Sequence, residues 1–145
     1  MTNLWVLLAI GLVGLSCEDM SFRDIGADIN VIARRDDALV ARSTKSLGRF
    51  GSKAIPQIET ALHSATLRGR LNLVAALDHI GSEDAIPILR HHAVYDTRPE
   101  LRKACEAVLQ GWSVKQNDRG GASRLALLHI NDKRKSGEGP APLSD

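Results

Sequence analysis

Aromatic side chains make up only 3% of this sequence, cysteine occurs twice, and no apolar run reaches the length of a membrane-spanning helix. Each shortage excludes something. So few aromatics leave no stacking platforms of the kind that single-stranded nucleic-acid binders use. Cys17 closes an apolar run while Cys105 lies in an amphipathic helical pattern, so the pair is no disulfide framework. Cys105, with Ala104 and Ala107 about it, reads as a small buried hydrophobe. A dominant charge is lacking too: the formal net charge is +2 and acids are interleaved among the arginines. No strong field for nucleic acid follows from that pattern. At 145 residues the chain suits one domain, which must stack short helices to bury a core.

What is present begins with Leu4 to Leu15, LWVLLAIGLVGL, twelve uncharged residues. A spanning helix needs about 20, so the run fits a secretory h-region instead. Gly14-Leu15-Ser16-Cys17 resembles the lipobox of bacterial lipoproteins, with Gly14 where leucine is usual. The resemblance implies cleavage before Cys17 and acylation of its thiol, which would anchor the protein in the bacterial cell envelope. Residues 1–16 are then an export segment. The alternatives are an export segment left uncleaved or cleaved conventionally, giving a secreted or periplasmic protein, and a buried helix.

Self-similarity organises the rest. Leu39 to Gly51 (LVARSTKSLGRFG), Gly69 to Gly81 (GRLNLVAALDHIG) and Leu101 to Ser113 (LRKACEAVLQGWS) are one phrase, offset by 30 and then 32 residues. Leu47, Leu77 and Leu109 are equivalent in that register, as are Phe50, Ile80 and Trp112. A second element, Ala54-Ile55-Pro56-Gln57-Ile58, returns as Ala85-Ile86-Pro87-Ile88-Leu89. Ile55, Ile58 and Leu62 match Ile86, Leu89 and Ala93, an i, i+3, i+7 spacing that puts one helix face on a core. Proline suits the first turn of a helix, and Gly51 and Gly81 suit helix ends. Each unit is helix, turn, helix, and the units must stack.

The phrase Leu47-Gly48-Arg49-Phe50-Gly51 followed by Ala54-Ile55-Pro56 resembles the HEAT repeat, including its bilin-lyase-like variety. Arg70 and Arg102 occupy the basic position near the start of the first helix in that pattern, and Val40 does not. The resemblance spans about residues 36 to 111. It implies an all-α fold, a short α-solenoid of about three stacked helical hairpins with an N-terminal capping helix. For function it implies a protein-binding scaffold, with a small enzyme or ligand-binding repeat protein as the alternative.

Residues 17–35 read as a short tether and the capping helix. From Ser21 to Arg34, Phe22, Ile25, Ile29 and Ile32 fall at helical spacing, and Ser21 with Asp24 resembles a capping pair. The repeat domain is expected over 36–132. In it, residues 114–121 read as a polar loop and Ala122 to Asn131 as a short closing helix with Leu125, Leu128 and Ile130 on its core side. Residues 133–145, with two prolines and little apolar content, read as a disordered tail.

Candidate chemistry is thin. His63, His79, His91, His92 and His129, with Asp78 and Asp96, fall into no metal or catalytic signature, and no nucleophile elbow or phosphate loop occurs. No cofactor or small-molecule ligand is implied. Arg68, Arg70, Arg98, Arg102 and Lys103 would have to converge for a nucleic-acid-binding array, and Glu100 and Glu106 interrupt that ridge. The expected partners are another protein and, through Cys17, a membrane. With Ile55, Ile58 and Leu62 inward, Gln57, Thr60 and Ser64 point away from the core, and the same register in the next unit gives Ile88, His91 and Tyr95. This row is the candidate partner-binding surface. The alternative is that Ile88 fills a gap beneath the third repeat and Tyr95 belongs to the following turn.

Overall fold

The repeated phrases become two layers of helices. The computed structural model describes residues 17–34, 38–114 and 118–137, and among them are seven α-helices and no strand. These are α1 (Cys17–Arg34), α2 (Ala38–Phe50), α3 (Ile55–Ser64), α4 (Leu67–Ile80), α5 (Ile86–Tyr95), α6 (Pro99–Val114) and α7 (Asp118–Ser136). Helices α2, α4 and α6 are the first helices of three hairpins and pack on one another in sequence. Helices α3, α5 and α7 are the second helices, and α1 lies ahead of them as the cap, against α2, α3 and α4. The chain is thus an all-α solenoid of the kind its repeats imply.

Local signals set the boundaries. Gly51 and Gly81 have φ of 57° and 62°, a left-handed geometry that L side chains resist, and each stops a first helix. A single 3₁₀ turn follows, Gly51–Ala54 or Glu83–Ala85, and Pro56 and Pro87 then sit in the first turn of α3 and α5. Thr66 caps α4 by accepting the Gly69 N–H at 3.2 Å. Gly69 also has a tertiary role, because a side chain there would overlap the Ala33 carbonyl at the end of α1.

Leu47, Leu77 and Leu109 are fully buried, and so are Ile58, Leu62, Leu89 and Ala93 from the second helices. Phe50 and Ile80 are partly buried and Trp112 wholly so, its indole N–H donating to Asp78 at 2.7 Å. Ile25, Ile29 and Ile32 of α1 join the same core, while Phe22 lies outside the described side chains.

Both ends differ from the sequence-based expectation. The backbone is already helical at Cys17, so Ser21 is inside α1 and does not cap it. Residues 118–121 belong to α7 although they read as loop, and α7 continues through Ser136, so Lys133 to Ser136 are not tail. Two early glycines cost about 1 kcal/mol each in a helix interior, which the packing of α7 on α5 and α6 offsets. Arg134 at its far end pairs with Glu106 of α6. The face of α7 differs as well: Ser123, Ala126 and Ile130 are buried, whereas Leu125 and Leu128 are 70% and 64% exposed. Small side chains let α7 approach its neighbours closely, so they take the core side and the larger leucines turn out. Residues 138–145 lie outside the described residues.

Candidate functional site

The basic residues at the starts of first helices are structural fasteners. The last carbonyls of an α-helix have no partner inside it and carry partial negative charge. Arg70 of α4 donates to the Ala65 carbonyl through Nε and to the His63 carbonyl through Nη2, both at 3.0 Å, closing the end of α3. Arg102 of α6 donates to the Asp96 carbonyl at 2.8 Å, closing the end of α5. Both guanidinium groups turn toward the fold, which removes them from the nucleic-acid ridge.

Asp96 joins these junctions. Its Oδ2 lies 3.3 Å from Arg70 Nη1 and 3.3 Å from His92 Nδ1, and its Oδ1 accepts the Arg98 N–H at 2.9 Å. Burial lowers the His92 pKa, with Asp96 pulling the other way and His91 and His63 adding to the fall. A neutral imidazole beside a carboxylate presents Nδ1–H as donor, since the carboxylate only accepts. Cys105 is a buried free thiol, pushed up to about 12 by burial and then by the Asp96 charge. A thiol so placed holds its proton and does not act as a nucleophile.

The second-helix layer is open on both sides of α3, whereas α5 and α7 pack on each other. Between α1 and α3 lies a groove of about 430 Å³ lined by Gly26, Ile29, Asn30, Gln57, Thr60 and Ser64, among others. Between α3 and α5 lies another, of about 240 Å³, lined by Glu59, His63, Pro87, Ile88, His91 and His92. It continues toward the helix starts through Ser52, Ile55, Pro56 and Asp84. α3 therefore forms a ridge, offering Gln57, Thr60 and Ser64 to one groove and Glu59 and His63 to the next.

The candidate row is divided by this geometry. Gln57 and Thr60 line the first groove, with the Thr60 hydroxyl donating to the Pro56 carbonyl at 3.1 Å. His91 is exposed at the second, its ring 5.2 Å from that of Tyr95 and 5.6 Å from that of His92. Tyr95 is 45% exposed and ends α5, so it belongs to the helix and not to the turn after it. Ile88 is only 7% exposed and corrects the reading of an outward residue: it is the buried floor of the groove between α3 and α5. Sequence reasoning weighed His63 only as candidate chemistry and not as a groove residue, and it missed Glu59 and Asn30; for the last there was no local signal. The signal for Glu59 and His63 was their position about 100° round α3 from the residues flanking the other groove.

Cys17 contributes backbone to α1, while its side chain and residues 1–16 lie outside the described residues. Among the described residues no group of three or more His, Cys, Asp or Glu side chains is placed to hold a metal ion. No helix of those residues is long and apolar enough to cross a membrane. No curated protein and no solved structure matches this chain. A family model, described as HEAT repeats, matches residues 29–110, which run from within the cap into the third first helix. Repeats of this kind generally serve as protein-interaction scaffolds, and the chain belongs to the HEAT repeat family.

Proposed function

We propose that this protein is a membrane-tethered adaptor, exported to the bacterial cell envelope, anchored by an acylated Cys17, and binding another protein along its second-helix face. The observation that carries the reading is the pair of consecutive grooves flanking α3, with Gln57 and Thr60 on one and His91 and Tyr95 on the other. Small-molecule sites enclose most of their ligand, whereas these grooves are open and successive and suit an extended segment or helix of a protein. Apolar surface at Pro56, Ala61 and Pro87 would supply burial, and the polar rims would set register. Anchoring is supported by the apolar run that stops at Cys17, and stable attachment needs two lipid signals, as acylation of such a cysteine provides.

The test has two arms. Gln57→Arg combined with His91→Glu should abolish partner capture at unchanged melting temperature, because both side chains stand at groove rims. Capture that survives both charges removes the grooves from the reading. Cys17→Ser should release the chain from membranes and eliminate the lipid mass of the mature protein, and an unchanged mass and membrane partition contradicts the tether.

A further inference from the structure

The second unexplained surface is at the far end of the array, on the face of α7 turned away from the core. Successive residues of a helix turn by about 100°, which places Gly121, Leu125, Leu128, Asp132 and Lys135 on one stripe opposite Ser123, Ala126 and Ile130. All five members of the stripe are exposed. Their spacing alternates between four and three residues, the interval at which two helices keep a common seam. Nothing stands within 4 Å of where a Cβ would lie at Gly121, so another helix has room to approach there.

The charges say which helix fits. Arg124 lies four residues before Leu128 and Asp132 four residues after it, and both are exposed. Two copies of α7 laid antiparallel and crossing at Leu128 set positions equally far on either side against each other. Arg124 then faces Asp132 of the second copy, and the reverse holds, while Leu128 meets its own equivalent and Leu125 packs within a turn of it. A parallel arrangement would instead set Arg124 on Arg124 and Asp132 on Asp132. We infer that this stripe is a two-fold self-association surface, seating α7 of a second copy antiparallel to the first. An isologous contact uses each complementary pair twice, so the surface is matched to itself in charge. This surface is separate from the grooves, and its failure would leave them untouched.

Two differently tagged copies of the full chain, co-expressed and extracted in mild detergent, test the inference by how much of one tag is recovered with the other. Leu125→Ser with Leu128→Ser should abolish co-recovery at unchanged melting temperature, since both side chains are exposed. Arg124→Asp alone and Asp132→Arg alone should each lower co-recovery about tenfold, and the two combined should restore it, because the exchanged charges pair again across the two-fold. Wild-type copies that do not co-purify overturn the inference, as they would if an unrelated protein or a lipid surface covers the stripe. A double exchange no better than either single one also overturns it, because sharing of a micelle has no such charge pattern.

Discussion

The two layers of this solenoid treat neighbouring repeats differently. Helices α2, α4 and α6 lie directly against one another, and Arg70 and Arg102 each tie the start of a first helix to the end of the second helix before it. In the second-helix layer α3 stands apart from α5, and a groove opens on either side of it. The sequence differs in the same way. Leu47, Leu77 and Leu109 keep their identity from unit to unit, whereas along the grooves Gln57 becomes Ile88, Glu59 becomes Arg90, Thr60 becomes His91 and Ser64 becomes Tyr95. Repetition marks what holds the array together, and divergence falls on the grooves where the proposed partner would bind.

Substitution in the repeated set should break the fold most. Leu77→Ala, in the middle unit and fully buried, should cost about 2 to 5 kcal/mol in a urea melt. The same change at Leu109 should cost less, because the end repeat can relax around the cavity. Equal losses at the two sites would mean that position in the array does not matter.

Asp96→Ala should come next, at about 2 to 3 kcal/mol, since it leaves Arg70 and His92 without their shared acceptor in a largely buried site. Tm of the variant and of Arg70→Met would show whether the junction acts as a unit: the double variant should lose less than the sum of the singles.

The same junction makes stability depend on pH. His92 takes a proton less readily when folded than its ordinary value near 6.5 would give. The unfolded chain therefore binds more protons as pH falls below about 6.5, and stability should be full above that value and decline beneath it, down to the folded-state pKa. Urea midpoints between pH 7.5 and 5.5 check this. His92→Gln should flatten the His92 part of the decline, and an unchanged slope would assign the pH dependence elsewhere.

The smallest effect is expected in the open layer. Thr60→Ala, His91→Ser and Tyr95→Ser should each shift stability by no more than about 0.5 kcal/mol, as exposed positions do. A larger loss at Tyr95 would make its tilted ring contact with His91 part of the fold and narrow the proposed binding face.

How legible all this was in the sequence depended on whether a feature is local. Gly81 with φ of 62°, Pro87 in a first turn and the shared leucine register are written in adjacent residues, and the HEAT-like phrase carried the hairpin order with them. Arg70 and Arg102 could be seen as a pattern, but their carbonyl partners could not, because those lie at the end of the previous helix. Leu125 and Leu128 misled because apolar size is a poor guide where two helices must approach closely and small residues win the interface. The grooves were invisible for another reason: Gln57 and His91 were legible as outward residues, yet a gap between α3 and α5 is set by the spacing of helices and not by any one residue.

The most direct test of the proposal that the grooves flanking α3 are the binding face is site-specific photo-cross-linking in intact cells. A photoreactive residue would be placed singly at Gln57, at His91 and, on the first-helix side, at exposed Arg42 of α2. Adducts of one shared mass from Gln57 and His91, with none from Arg42, are expected. That same adduct from Arg42, with Gln57 and His91 silent, would contradict the assignment of the binding face to the second-helix layer.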